Sequence, residues 1–298
     1  MEIHQLRYFL AVVRTRNFSR AAEQCHVAQP SLSLQIKKLE EELGERLFQR
    51  TKREVTVTPA GELFSEHAEH VLEEIELGRE KVREVRGQIR GKVALGALPT
   101  IAPYFLPTRL REFSTRYPEV EVVVHEDTTT QLAEMVLAKE IDMALVSLPV
   151  GRRGLQSETL FEEDLLVALP AKHRLAQKKR LELADLKDEA FIVMKEEHCL
   201  SGQTMQFCQL RGFSPKVSFR SAQIETMLSF VLAGWGVSIV PAMALSSEGA
   251  RGLKLQPLGN VQRTIGVIFR ASRPLSQAAK RLLTFFRPRD ETPKASEF

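Results

Sequence analysis

Cysteine is scarce in this chain: three in 298 residues, at positions 25, 199 and 208. So few cannot build the dense disulfide framework of a small secreted domain, and a chain of this length can bury a core without one. A strong net charge is also missing. Basic and acidic side chains number 42 and 38, leaving +4, too little by itself to establish a polyanionic partner. The longest uncharged stretch, Thr226–Ser247, has the length of a membrane span, but Gly234, Gly236 and Pro241 interrupt it in "LAGWGVSIVP". It reads as a helix, a glycine turn and a buried strand. The first residues carry no charged–apolar–small signal pattern, and no repeat of 20–50 residues is visible. These absences point to a reducing cytoplasm and no membrane, where a disulfide is transient or sensory rather than a staple.

What is present begins with charge placement. Residues 1–60 hold ten basic side chains against seven acidic ones, clustered at 46–53, whereas residues 61–90 hold eight Glu against five Lys and Arg. The first 45 residues show helical periodicity only. Leu6, Phe9, Leu10 and Val13 share one face, and Phe18, Ala22 and Cys25 repeat the spacing after Asn17. A third helix starts at "QPSLSLQIKKLEEELG", with Pro30 in its first turn and Gly44 at its end. "RLFQRTKREVTVT" then alternates like a hairpin with a basic tip. Three helices and a basic ribbon predict a winged helix-turn-helix. With Leu32, Ile36 and Leu39 turned inward, Gln29, Pro30, Ser31, Ser33, Leu34 and Lys37 are left for a DNA major groove. Arg50, Lys52 and Arg53 on the wing suit backbone phosphates.

From Thr58 a long helical pattern runs without a breaker. Leu63, His67, Val71, Ile75, Val82 and Val85 line an imperfect stripe, expected to bury on a second copy. From Gly91 strands and helices alternate, which predicts an α/β sandwich. Strands are expected at Val93–Ala97, Val120–His125, Met143–Ser147, Leu165–Leu169, Ala190–Met194, Lys216–Arg220, Gly236–Val240, Leu253–Gln256 and Thr264–Phe269. The tail "RPRDETPKASEF" reads as disordered. In open α/β sheets ligands sit beyond the carboxyl ends of strands. Here those positions hold Thr100, Thr128–Thr130, His198–Ser201 and Ser221. They suit a small polar or anionic ligand, or plain helix capping.

Cys25 falls on the inner stripe of the second helix and reads as a buried, inert thiol. For Cys199 and Cys208, in "HCLSGQTMQFC", three readings stand: packed thiols, metal ligands together with His198, or a redox pair. Adjacent His and Cys are awkward for tetrahedral zinc. "SGQTMQFCQL" reads as a short helix, which sets Cys199 beside a helix N-terminus that favours thiolate. Nine helical residues span about 13 Å, whereas a disulfide needs Cα atoms within about 7 Å. If these cysteines join, the helix between them has to unwind or swing.

"LRYFLAVVRTRNFSRAAEQCHVAQPSLSLQIKKLEEELGERLFQR", "VTVTPAG" and "VLAGWGVSIVP" together resemble the LysR-type transcriptional regulators over the whole chain. The resemblance implies a winged helix-turn-helix, a long linker helix, and a C-terminal α/β effector domain of two Rossmann-like lobes, as in periplasmic binding proteins. The corresponding divisions are residues 1–58, 59–89 and 90–298, with lobe I at 90–162 plus 266–298 and lobe II at 163–265. It implies a homodimer or homotetramer, double-stranded promoter DNA and RNA polymerase as partners, and no cofactor, metal or enzymatic activity. Within that family, H-C-L-x-x-Q-x-M-x-F-C is similar to the redox motif of hydrogen peroxide sensors. Carried over, Cys199 is the peroxidatic thiol and Cys208 resolves it to a disulfide. Thr100, Thr129 and His198 hold peroxide or polarise the site, Arg263 in "RTIGVIFR" supports the thiolate, and a cellular dithiol is the reductant. The implied output is activation of oxidative-stress defence genes. One departure is Glu197, after Glu196, where that motif has Gly; carboxylates facing the thiol would raise its pKa. The rival readings are a regulator gated by a small metabolite with inert cysteines, a thiol peroxidase, and a plain binding module.

Overall fold

The computed structural model describes residues 1–50, 55–84, 89–246, 248–272 and 274–288. In it the periodic apolar positions of the first segment form α1 (Ile3–Thr15), α2 (Phe18–Gln24) and α3 (Gln29–Leu43). Asn17 caps α2 by accepting the Arg20 N–H at 3.0 Å. Pro30 lies in the first turn of α3, and Gly44 ends it at φ +73°, a left-handed conformation that favours glycine. Leu32, Ile36 and Leu39 are buried, as their spacing predicts. The antiparallel strands β1 (Phe48–Arg50) and β2 (Val55–Val57) follow. Glu40 ties β1 to α3 by accepting the N–H groups of Leu47 and Phe48 at 2.9 and 3.2 Å. Phe9, Phe18, Phe48 and Phe64 fill the centre through tilted and edge-on ring contacts. Cys25 departs from expectation: it caps the end of α2 and is half-buried, because the helix stops at Gln24 before its side chain turns fully inward.

α4 runs Pro59–Glu84, opened by the Thr58 hydroxyl accepting the Gly61 N–H. Phe64, Ala68 and Leu72 hold it on the helix-turn-helix core. The stripe singled out in the sequence lies on a neighbouring face, where Leu63, Val71 and Val82 are exposed. Val85, the tip of the wing at 51–54 and the tail beyond 288 lie outside the described residues.

The chain divides into two compact units, Met1–Gln88 and Ile89–Phe298. The second contains β3 (Gly91–Ala97), α5 (Ala102–Arg116), β4 (Val120–Glu126), α6 (Thr129–Leu137), β5 (Met143–Leu148) and β6 (Leu155–Pro170). It continues through β7 (Ala190–Met194), α7 (Cys199–Leu210), β8 (Lys216–Ser221), α8 (Ile224–Leu232), β9 (Ser238–Pro241), β10 (Leu253–Arg270) and α9 (Gln277–Phe286). Six strands pair in the order β4-β3-β5-β10-β6-β9, and β7 pairs with β8 in parallel. β3, β4 and β5 are parallel, whereas β10 is antiparallel to both β5 and β6.

Two hydrophobic clusters fill this unit. One gathers β3, β5, α5, α6 and α9; the other gathers β7, β9, α7 and α8. β6 and β10 run through both, so the unit has two lobes joined by two long crossing strands. The sequence pattern predicts two separate strands here, Leu253–Gln256 and Thr264–Phe269. The structure makes β10 continuous, because a register shift between Pro257 and Gln262 absorbs the loop-like "PLGNVQR". β6 likewise begins at Leu155, ten residues before the expected strand, since its polar first half is held by pairing with β10.

Candidate thiol site and nucleic-acid interface

α7 begins two residues earlier than the sequence reading placed it. His198 is its N-cap residue and Cys199 its first helical residue. The sulfur therefore lies at the positive end of the helix, where the backbone N–H groups of Leu200 and Cys199 itself favour thiolate. Cys208 follows nine residues, or about two and a half turns, later. That half-integral number of turns sends the two thiols to opposite sides. Cys199 packs against the lobe I cluster, while Cys208 is fully buried within the lobe II cluster. All three cysteines are free thiols.

Around Cys199 stand three of the residues expected there. Arg263, on β10, and Thr100, before α5, are both buried. Arg263 Nη1 donates to Thr100 Oγ1 at 2.8 Å and Nη2 to the Thr100 carbonyl at 3.1 Å. Thr100 Oγ1 thus accepts from the guanidinium and keeps its own proton to donate. Thr129, the first residue of α6, has a buried hydroxyl that meets no oxygen or nitrogen at hydrogen-bonding geometry. Its reach is to the Cys199 sulfur, whose thiolate it stabilises as a donor. Thr128, not Thr129, caps α6 by accepting the Gln131 N–H. His198 is buried at the mouth of α7, and its side chain caps nothing there.

These groups do not bring the thiol below its ordinary range. Desolvation dominates and raises the Cys199 pKa, while Arg263, Thr129 and the two N–H groups offset part of the rise. Cys208 has only burial acting on it and is pushed up to about 11. The expected repulsion from Glu196 and Glu197 is not there. Both are exposed, Glu196 pairs with Arg220 at 3.2 Å, and neither carboxylate perturbs Cys199.

Sequence reasoning missed two partners. Glu163, on β6 directly opposite Arg263, accepts from Arg263 Nε at 2.8 Å, and the same oxygen lies 2.8 Å from Nη2 as an ion pair. Its other oxygen accepts the Met243 N–H at 2.7 Å. The signal was a lone acid on the buried side of a strand in "FEEDLLVALP", which becomes meaningful only once the strand pairing is known. Gln203, noted as a motif position alone, donates from α7 to the buried Ser147 Oγ of lobe I at 2.9 Å. Among the described residues no group of three or more His, Cys, Asp and Glu could hold a metal ion.

In the first unit, Gln29, Pro30, Ser31, Leu34 and Lys37 are exposed along one side of α3, and Ser33 is half-buried. Lys37 pairs with Glu41 at 3.4 Å. Arg50 ends β1 but its side chain, with Lys52 and Arg53, lies outside the described residues. No helix among the described residues is long and apolar enough to cross a membrane.

A helix-turn-helix with an open third helix, joined by a long helix to a two-lobed α/β unit, defines a DNA-binding regulator with a sensing domain. The chain belongs to the LysR family. Residues 3–62 match the bacterial regulatory helix-turn-helix protein, lysR family, and residues 86–291 match the LysR substrate binding domain. Among its relatives is the DNA-binding transcriptional dual regulator OxyR of Escherichia coli K12, 34% identical over 296 residues, covering 97% of this chain and 96% of that one. A solved cysteine mutant of Corynebacterium glutamicum OxyR superposes with a TM-score of 0.67 at 29% identity, covering 96% of this chain and 91% of that one. A cysteine-to-serine variant of the same protein, with hydrogen peroxide bound, gives 0.63 at 31% identity, covering 96% and 90%.

Proposed function

We propose that this LysR-family regulator is switched by hydrogen peroxide through Cys199 and Cys208, and that it activates oxidative-stress defence genes. The observation that carries the reading is the placement of Cys199. It is the first residue of a helix, beside a buried Arg263–Thr100 pair and the buried Thr129 hydroxyl. Peroxide is a small donor and acceptor. Thr100 and Thr129 suit its oxygens, and His198 lines the approach. The Cys199 thiolate attacks one oxygen, the O–O bond breaks, and the leaving hydroxide is protonated to water, which leaves a sulfenic acid. The Cys208 thiolate then attacks that sulfur, the S–O bond breaks, a second water leaves, and a disulfide forms. A cellular dithiol reduces it, becoming a disulfide itself.

The coupling to output is mechanical. The two thiols face opposite sides of one helix and belong to different hydrophobic clusters. Joining them requires α7 to unwind and Cys208 to leave the lobe II core. In this reading residues 1–58 bind promoter DNA through α3 and the wing, 59–89 pair two copies, and 90–298 sense. The assembly is a homodimer or homotetramer that works with RNA polymerase in the cytoplasm.

The test is a count of free thiols under denaturing conditions after one equivalent of peroxide. Loss of two thiols per chain, abolished by Cys199→Ser, supports the switch. With Cys208→Ser, one thiol should be lost and a sulfenic acid trapped by dimedone. A metabolite-gated regulator with inert cysteines is favoured by one observation, the upward shift of both thiols; it predicts no thiol loss at all.

A further inference from the structure

Arg263 and Glu163 form a buried ion pair at 2.8 Å, with 2% and 7% of their surfaces exposed. Strand register sets them opposite each other on β10 and β6, so their approach is built into the sheet. Every oxygen of Glu163 is used, one by Arg263 and the other by the Met243 N–H. The guanidinium is correspondingly committed: Nε donates to Glu163, Nη1 to the Thr100 hydroxyl, and Nη2 to the Thr100 carbonyl and Met243 Sδ. A cation out of water needs a counter-ion. Two groups in its surroundings can supply a negative charge, the Glu163 carboxylate and the Cys199 thiol. Glu163 is the one that strand register sets directly against the guanidinium, at 2.8 Å.

We propose that Glu163 is a positioning residue: by serving as the counter-ion of Arg263 it keeps Cys199 in its protonated, slow-reacting form at rest, and so sets how much oxidant trips the switch. This deepens the reading of Cys199 as the peroxide-reacting thiol and takes its biological meaning from it. The other groups facing Cys199 are the Thr129 hydroxyl from α6 and the first N–H groups of α7, all of which favour thiolate, and the buried His198, its neighbour at the N-cap of α7. Among the acids near α7, Glu196 is paired with Arg220 and Glu197 is exposed. Control of the resting proton therefore passes through the Arg263 pair. With Glu163 neutralised, the buried guanidinium is left without a counter-ion, and ionising Cys199 relieves that cost.

The experiment uses the full chain carrying Cys25→Ser and Cys208→Ser, so that Cys199 is the single thiol. The rate of alkylation by iodoacetamide is followed from pH 5 to pH 10. Glu163→Gln is expected to lower the midpoint by about one unit and speed alkylation roughly tenfold at pH 7, within the range an uncompensated neighbouring charge produces. Arg263→Gln is expected to move it upward, and Glu163→Asp to leave the profile close to that of the parent. A folded Glu163→Gln chain with an unchanged or raised midpoint overturns the proposal. Should that variant fail to fold, Glu163→Gln is compared in the Arg263→Gln background, where no buried cation is stranded. There the profile is expected to match that of Arg263→Gln alone, because Glu163 acts through the guanidinium, and a midpoint that still falls by about one unit overturns the proposal. Alkylation involves no peroxide, so a chain whose thiols ignore peroxide but whose midpoint shifts as described sinks only the peroxide reading.

Discussion

Thr129 and Cys208 show how a single side chain can be tied to a measurement. Thr129→Val removes a donor to the Cys199 sulfur and nothing else that the described residues pair with it. The thiol should then shift further upward and alkylate a few times more slowly at neutral pH. Cys208 provides a stability prediction with a definite sign. Its folded pKa, about 11, lies above that of an exposed thiol. The folded chain therefore holds a proton that the unfolded chain releases. The resulting stabilisation is complete below the unfolded thiol's pKa and is lost as pH rises toward about 11. Urea unfolding under reducing conditions should show stability falling above about pH 9, and Cys208→Val should flatten that fall. Much of this scale was legible in advance: Thr100, Thr129, His198 and Arg263 all fall around one end of α7 and its neighbours. Glu163 was not, because its partner is 100 residues away and only strand register brings them together.

At the level of elements, the proposed switch makes α7 both the sensor and the part that has to yield. Gln203 pins it to Ser147 across the lobes, and Leu200, Thr204 and Cys208 bury its lobe II side. Oxidation should lower helical circular dichroism and speed amide exchange over residues 199–210, with smaller changes in β7 and β8. An oxidised chain with unchanged exchange in α7 is incompatible with the mechanism. The wing shows a different constraint. Gly61 stands where a Cβ would lie 2.3 Å from the Leu47 carbonyl oxygen and 2.7 Å from Val57 Cγ1. Gly61→Ala has to push α4 off β2, with an expected destabilisation of about 1–3 kcal/mol, readable as an earlier melt and weaker DNA binding. Helices were easier to read than strands here. Periodicity and caps located α1, α2 and α3, since both signals are local. β6 and β10 were read short because half of each is polar, and what keeps those halves extended is the partner strand rather than their own composition.

For the whole molecule, the question is what covers the outer stripe of α4. Leu63, Val71 and Val82 are 65%, 44% and 66% exposed, on a helix whose inner side, Phe64, Ala68 and Leu72, already packs on the helix-turn-helix core. An exposed apolar stripe on a long helix is the surface a second copy would take. Pairing would also explain affinity. Each wing and third helix offers a small footprint, and joining two raises the effective concentration of the second at its half-site. The double variant Leu63→Asp, Val71→Asp should leave each chain folded, because these side chains are already in water. It should shift the sedimentation profile toward monomer and weaken promoter binding by roughly 10²–10⁴. The slope of log affinity against log salt should fall by about half, since half the phosphate contacts are lost from the bound species. Thiol loss on adding peroxide should be unaffected, as Cys199 and Cys208 both lie in the second unit. A variant that stays dimeric and binds DNA with the parent's salt slope would mean that α4 pairs through some other face, and a variant that becomes monomeric yet binds as tightly would remove bivalence from the account.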